Sequence, residues 1–252
     1  PIHVLGDLPS FLPELARRHF DAADQLIRDF CDPGLVDLAA GASDWAPGVA
    51  ADPLRIPRPR HDLFPLKRYR MPFTAWRGAA TVLTATGCPF RCSFCASHGL
   101  PHYVRPIPDV IDELDSIRAL GIREVYLRDL TYGPDRDRAL ALAEAIADAD
   151  LGLRWSAECR AEVLDDAVLA AMARAGCEVI LVGVETGSEE TARRLRKPVG
   201  HRTRPILAAA RRLGIRTCAH FVLGVPGEVR EDVEATLRLA RELPLDYASF
   251  NL

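Results

Sequence analysis

Short apolar runs alternate with helical patterns over most of this sequence, and this alternation restricts its fold more than any other feature. The runs read TVLTA (81–85), EVYLRD (124–129), LRWSAE (153–158), VILVGVE (179–185), TCAHFVLG (217–224) and YASFNL (247–252). Strands that are continuously apolar and are joined by amphipathic helices form right-handed βαβ units in a parallel sheet covered by helices. The pattern therefore predicts the α/β class, as a six-stranded barrel fragment or an open doubly wound sheet. In either architecture the functional residues gather where the strands end.

The helices between these runs have recognisable start and stop signals. Asp109 is expected to cap the first helix, and Gly121 is expected to end it. Further helices are predicted over about 135–149, from Asp165 to Gly176, from Pro205 to Gly214, and before Pro244.

Two further regions precede the alternating part. Residues 46–80 contain six prolines, at 47, 53, 57, 59, 65 and 72, among arginine and lysine residues. Proline at this density prevents helix formation, so we predict a proline-rich, solvated linker. Residues 1–45 carry one βαβ step, which is too small to fold alone. We expect 1–45 to be the C-terminal part of an upstream α/β domain and 81–252 to be the main domain, truncated at its sixth strand.

Composition excludes several classes of protein. The net charge of −3 argues against a protein that mainly coats nucleic acid or an anionic membrane. No apolar run approaches the roughly 20 residues that span a bilayer, and no secretory signal is recognisable, so a cytoplasmic location is expected. The sequence begins at Pro1 without methionine and stops at Leu252 within an apolar run, so we expect a piece of a longer protein.

Three of the seven cysteines crowd into one loop, in the stretch ATGCPFRCSFCASHG (85–99). Cys88, Cys92 and Cys95 follow the first strand with the spacing C-x3-C-x2-C, which is unlike a secreted disulfide framework and typical of a metal site. Zinc would need a fourth ligand, for which His98 or His102 lies near enough in sequence. An electron-transfer ferredoxin would supply four cysteines for each cluster. Three cysteines on a four-iron cluster would leave one iron open.

This loop resembles the signature of the radical S-adenosylmethionine (radical SAM) superfamily, with an aromatic residue before the last cysteine. The resemblance implies a TIM-type partial (βα)6 barrel and a 4Fe-4S cluster bound by Cys88, Cys92 and Cys95. It implies S-adenosylmethionine on the open iron, cleaved reductively to methionine and a 5'-deoxyadenosyl radical. Phe94 would pack beside the adenine of that cofactor.

Other strand ends match the same superfamily to differing degrees. GVETGS (183–188) resembles its G-x-E-S-G segment, which implies that Glu185 binds the ribose or amino group of S-adenosylmethionine. HFVLGVPGE (220–228) resembles its glycine-rich turn, in which Gly224 and Gly227 let the backbone approach the adenine; a simple tight turn is the alternative. RDLTYG (128–133) departs from the common G-G-E pattern, and there Asp129 is the candidate partner of the amine. Arg160 is a candidate for the carboxylate, with a surface ion pair to Glu158 or Glu162 as the alternative.

The remaining cysteines and the other candidates have simpler interpretations. Cys159, Cys177 and Cys218 are expected to be small core residues. Tyr132, His201 and His220 could approach a substrate, although a structural role is the preferred interpretation for each.

The resemblance extends to the superfamily members with an N-terminal cobalamin-binding domain, through VLGDLPSFLPE (4–14), FDAADQLIRDF (20–30) and the linker. It implies cobalamin as a further cofactor and a methyltransferase or related tailoring activity. The expected partners are a small-molecule substrate and a reductase, flavodoxin or ferredoxin electron donor, with no nucleic acid. A methylthiotransferase, with another cluster domain upstream, and a non-catalytic iron-sulfur or zinc module are the alternatives.

Overall fold

The computed structural model of the 252-residue chain describes residues 3–5, 13–23, 25–27, 54, 56–74, 76–97, 101–198 and 200–252. The chain divides into two compact units. The first comprises Pro1–Pro57 with Tyr103–Arg105, and the second comprises Arg58–His102 with Pro106–Leu252. The domain limits expected at residues 45 and 80 remain predictions.

The first unit contains one βαβ step. β1 (His3–Leu5) pairs in parallel with β2 (Gln25–Ile27), and α1 (Pro13–His19) connects them. Within the same unit, the Leu54 backbone N–H donates to the carbonyl oxygen of Val104 at 2.8 Å. The step predicted within residues 1–45 is thus present in the described residues.

The second unit is built on a parallel sheet of six strands. Its strands are β3 (Ala79–Val82), β6 (Glu124–Tyr132), β7 (Arg154–Cys159), β8 (Cys177–Glu185), β9 (Arg216–Val222) and β10 (Tyr247–Asn251), and they lie side by side in that order, which is their order along the chain. A doubly wound sheet would reverse this order at a switch point, so the strand order is that of a partial TIM-type barrel. The other strand of the second unit is β4 (Ala85–Thr86), and its α-helices are α2 (Ile107–Ala119), α3 (Arg136–Asp148), α4 (Asp166–Arg174), α5 (Glu189–Arg194), α6 (Thr203–Arg212) and α7 (Arg230–Glu242). The strand β5 (Tyr103–Val104) belongs to the first unit.

Side chains alternate between the two faces of this sheet. The outer face packs against the helices and forms the main core, with members such as Leu127, Ala157, Ile180 and Phe221. On the inner face, a smaller cluster contains Tyr126, Val179, Leu181 and Cys218. Met71, Phe73 and Tyr247 pack against this inner cluster. Polar residues two positions away from these on the same strands therefore share the inner face.

The structure corrects one prediction about helices and contains one helix that was not predicted. Asp109 does not cap α2, because the helix begins at Ile107 after Pro106, and Asp109 lies in its first turn. The short helix α5 was not predicted, since its sequence EETARR has no apolar periodicity. Asp135 and Asp165 do cap α3 and α4, and their side chains accept hydrogen bonds from Arg138 N and Val168 N. A helix start read from Asp alone is thus unreliable beside a proline, which is favoured at the first helical turn.

Candidate active site

The cysteine loop leaves the C-terminal end of β3, at the edge of the sheet where all six parallel strands end. Cys92 is buried, and Cys88 and Cys95 are partly exposed. None of the six cysteines in the described residues is in a disulfide. The position of the loop matches the sequence prediction, since the functional edge of a parallel α/β sheet is the carboxyl edge.

The loop is held at its start by β6 and in its middle by α5. At the start, Asp129 on β6 accepts the backbone N–H groups of Thr84 at 2.6 Å and Ala85 at 3.0 Å. In the middle, Ser93 N donates to the Leu195 carbonyl at 3.0 Å, and Ser93 Oγ donates to the Arg194 carbonyl at 2.7 Å. The three cysteines therefore stand on a segment whose backbone is fixed by neighbouring elements.

A close approach at Gly87 tightens the loop further. Its φ is +71°, and a Cβ built there would lie 1.8 Å from the carbonyl oxygen of Pro101. The contact excludes every other residue type without a backbone shift, and the left-handed φ would add strain to any side chain placed there. Gly87, just before the first cysteine, thus allows the backbone at Pro101, after the last cysteine, to pack closely against it.

Arg160 reaches the cysteine loop from the end of β7. Its Nη1 donates to Cys92 Sγ at 3.1 Å, and its guanidinium carbon lies 4.1 Å from the centre of the Phe90 ring. Its Nε lies 3.4 Å from Glu162 Oε2, and its side chain is only 12% exposed. The alternative of an ion pair with Glu162 is therefore realised, together with a contact to Cys92 that was not predicted. The expected contact with the carboxylate of S-adenosylmethionine stays a prediction.

The surroundings of the Cys88 thiol raise its pKa. Burial raises the pKa of the Cys88 thiol, and the neighbouring sulfurs of Cys95 and Cys92 raise it further. Arg160 acts in the opposite direction. Three thiolates at one place need positive charge to coexist, and an iron cluster supplies it. The three cysteine sulfurs therefore fit a positively charged iron centre.

The zinc alternative depends on how close together the ligating side chains lie. In the described part of the chain, no three His, Cys, Asp or Glu side chains come close enough together to ligate one ion. Zinc needs ligands that meet at one atom, whereas a four-iron cube takes each cysteine on a different iron. Of the two histidines named for zinc, His98 lies outside the described residues.

Asp129, the candidate for the amine of S-adenosylmethionine, is 3% exposed. Besides the two backbone N–H groups, it accepts a short hydrogen bond from the Thr84 hydroxyl. Burial raises the pKa of this carboxyl, while the hydrogen bonds from Thr84 and Ala85 oppose the rise. Asp129 thus anchors the start of the cysteine loop, and its contact with the cofactor stays a prediction.

Glu185 ends β8 in a strained, buried conformation. Its φ is +70°, in the left-handed region, and the register of β8 against β9 shifts between Gly183 and Glu185. Its Oε1 accepts from Lys197 Nζ at 2.7 Å, and both side chains are buried. Strain of this kind persists only where the surroundings enforce it, and it clusters at functional sites. Lys197 was not identified from the sequence.

The glycine-rich turn after β9 and the unpredicted helix α5 are linked. Gly224 and Gly227 have φ of +78° and +80°, and Gly224 N donates to Glu228 Oε2 at 2.6 Å. A Cβ at Gly227 would lie 2.4 Å from Arg194 Nη1. Since Arg194 also contributes its carbonyl to Ser93, α5 connects this turn with the cysteine loop.

The inner face carries a polar group whose members come from three strands, β6, β7 and β9. Tyr126 Oη donates to Glu158 Oε1 at 2.6 Å, and His220 Nε2 lies 3.9 Å from Glu158 Oε2. Burial raises the pKa of Tyr126, and Glu158 adds to the rise. Glu158 lies on β7, two residues before Arg160, which follows the end of that strand in an extended backbone conformation.

The other sequence candidates occupy simpler positions. Tyr132 is buried and donates to the Ala139 carbonyl at 2.7 Å, so its role is structural. His201 is exposed. Cys159 and Cys177 are in the main core as predicted, and Cys218 is buried in the inner cluster. Burial raises the pKa of the Cys218 thiol to about 11.

The fold and the loop together define an α/β barrel protein with a three-cysteine site at the carboxyl edge of its sheet. The family model described as the radical SAM superfamily matches residues 82–240. The chain belongs to the radical SAM superfamily, which uses a 4Fe-4S cluster and S-adenosylmethionine. Within the described residues, no helix is both long and apolar enough to cross a membrane.

Three known proteins illustrate the similarity. An uncharacterized methyltransferase of Pyrococcus horikoshii is 31% identical over 205 residues, which cover 78% of this chain and 43% of that protein. The ribosomal protein uS12 methylthiotransferase RimO of Salinispora arenicola is 29% identical over 263 residues, covering 97% of this chain and 49% of that protein. The structure of the radical S-adenosylmethionine methyltransferase TsrM from Kitasatospora setae, with cobalamin and a [4Fe-4S] cluster bound, has a TM-score of 0.65 at 25% identity. That match covers 69% of this chain and 34% of TsrM. The chain spans less than half the length of these relatives.

Proposed function

We propose that Cys88, Cys92 and Cys95 hold the 4Fe-4S cluster of a radical SAM enzyme. The observation that supports this is the position of the loop, at the carboxyl edge of a parallel sheet and fixed by β6 and α5. With three cysteine ligands, a four-iron centre would keep one iron open to S-adenosylmethionine. When bound, the cluster supplies the electron that cleaves this cofactor to methionine and a 5'-deoxyadenosyl radical.

The residues around the loop would position the cofactor. Phe94 is 45% exposed and offers a flat face to an adenine. Glu185, held in place by Lys197, offers a carboxylate to the ribose or amino group. Gly224 and Gly227, with left-handed φ, let the backbone approach the adenine.

For the overall reaction we propose a cobalamin-dependent methyltransferase or a related radical tailoring enzyme. The methyltransferase relative and the similarity to TsrM support this choice. The substrate would be a small molecule reached from the inner face, where Tyr126, Glu158 and His220 offer hydrogen-bonding groups. The electron would come from a reductase, flavodoxin or ferredoxin.

Anaerobic reconstitution tests the cluster assignment. The wild-type protein is expected to bind about four iron and four sulfide per chain. Its EPR signal should change on adding S-adenosylmethionine, and dithionite should then release 5'-deoxyadenosine. Cys92→Ala should abolish this release, whereas Cys177→Ala should retain it, since Cys177 begins β8 at the opposite edge of the sheet. Stoichiometric zinc, with no effect of S-adenosylmethionine, would contradict the proposal.

A methylthiotransferase is the second candidate, because RimO matches nearly the whole chain. The natural full-length protein separates the two. Cobalamin that co-purifies with a single cluster supports the methyltransferase. A second cluster with no cobalamin supports the methylthiotransferase.

A further inference from the structure

The environment of Arg160 suggests a role that the proposed cofactor contacts do not cover. Its guanidinium donates a hydrogen bond to Cys92 Sγ, lies over the Phe90 ring and forms an ion pair with Glu162. The first contact is with a proposed cluster ligand, and the second places the guanidinium carbon 4.1 Å from the ring centre of Phe90, a residue of the cysteine loop. Arginine suits this combination because its fork is planar and always charged.

We infer that Arg160 is a positioning residue that raises the reduction potential of the cluster by hydrogen-bonding the sulfur of Cys92. This inference rests on the proposed function, since it requires a cluster on the three cysteines. An N–H donor withdraws electron density from a ligating sulfur, and hydrogen bonds to sulfur together with local charge set cluster potentials. The reduced cluster carries one more negative charge, so a nearby cation stabilises it more than the oxidised cluster.

The charges around the guanidinium also predict the effect of its neighbour. Glu162 Oε2 lies 3.4 Å from Arg160 Nε, and the Glu162 side chain is 30% exposed. This carboxylate partly cancels the positive charge that the cluster experiences. Removing it should therefore shift the potential in the direction opposite to the loss of Arg160.

The contact is distinct from the carboxylate pairing expected from the sequence. A residue that served only to bind S-adenosylmethionine would leave the potential of the cofactor-free cluster unchanged. A residue that served only to pack the loop would change the potential in the same direction, or not at all, when either partner of the ion pair is removed.

The test is a redox titration of reconstituted protein without S-adenosylmethionine, followed by the EPR signal of the reduced cluster. One electron passes from the electrode through mediators to the cluster, and no bond forms or breaks. Arg160→Met should lower the equilibrium constant for reduction about tenfold, which is about 59 mV for a one-electron couple. Arg160→Lys should fall between it and the wild type, and Glu162→Gln should shift the potential upward.

Arg174→Met is the matched control for loss of one positive charge. Arg174 ends α4, and its side chain is 60% exposed. The control should titrate like the wild type. If Arg160→Met fails to load a cluster, the reduction potentials of Arg160→Lys and Glu162→Gln still test the inference, because they should shift in opposite directions.

Two results would overturn the inference while leaving the proposed function intact. One is a wild-type reduction potential for the cluster of Arg160→Met. If that variant cannot be loaded, the same result in Arg160→Lys counts. The other is a Glu162→Gln potential that is unchanged or moves downward. Failure of the wild type to assemble any cluster would instead contradict the proposed function itself.

Discussion

Replacing Asp129 with alanine should destabilise the protein by removing the anchor of the cysteine loop. Asp129 Oδ1 accepts the backbone N–H groups of Thr84 and Ala85 at 2.6 and 3.0 Å, and Oδ2 accepts the Thr84 hydroxyl. Alanine would leave both N–H groups without this acceptor. Each buried group that loses its partner costs about 1–3 kcal/mol, so we expect a loss of about 2–6 kcal/mol in the free energy of unfolding. That is a large fraction of the stability of a typical domain.

Equilibrium denaturation in urea measures this loss, and iron content after anaerobic reconstitution measures its consequence for the loop. Thr84→Val is the matched control, because it removes only the hydroxyl donor and should cost about 0.5–1.5 kcal/mol. Asp129→Ala should also load less iron than Thr84→Val. The reasoning is refuted if Asp129→Ala costs no more than Thr84→Val. Wild-type stability combined with weaker binding of S-adenosylmethionine would favour the alternative role of Asp129 as the amine partner.

Three further predictions concern other parts of the same edge. Burial raises the pKa of Asp129 above its unfolded value, so the folded state favours the protonated carboxyl. The wild type should therefore lose stability relative to Asp129→Asn as the pH rises through the folded pKa. Parallel curves of unfolding free energy for the two proteins from pH 4 to 8 would contradict this. Lys197→Met should cost about 3–5 kcal/mol in urea denaturation because it leaves the buried Glu185 carboxylate uncompensated, and the double variant with Glu185→Gln should recover much of that loss. Gly227→Ala should unfold at a lower urea concentration than Gly224→Ala. Both glycines have φ near +80°, so alanine at either position carries a backbone strain of about 1 kcal/mol. Only at position 227 would the new Cβ meet the Arg194 guanidinium, at 2.4 Å. Equal losses for the two glycine variants would show that this guanidinium yields freely.

The secondary structure of the barrel unit was largely predictable because its signals are local. Apolar runs mark the buried strands. Asp135 and Asp165 cap the helices that begin at the next residue, Arg136 and Asp166. The position of the cysteine loop follows from the same alternation. The helix α5 escaped prediction because its six residues are nearly all polar and charged, and tertiary contacts such as those with Ser93 stabilise it.

The roles of the polar residues at the strand ends were less predictable. Glu185 and Lys197 are twelve residues apart, and Arg160 and Cys92 are 68 apart. No periodicity relates such positions, because the contacts exist only when separate βα units lie side by side. The sequence marked Arg160 and Glu185 as candidates, and the fold supplied their partners.

From the sequence alone came the α/β class, the loop with three cysteines after the first strand, and the resemblance to the radical SAM superfamily. These follow from spacing and periodicity, which a linear chain displays before it folds. Tertiary structure decided that the strands adopt barrel order, that Asp129 fastens the loop, and that Arg160 bonds to Cys92. The physical reason is that hydrogen bonds and ion pairs act over a few ångströms, and only packing of the sheet brings these distant residues within that range.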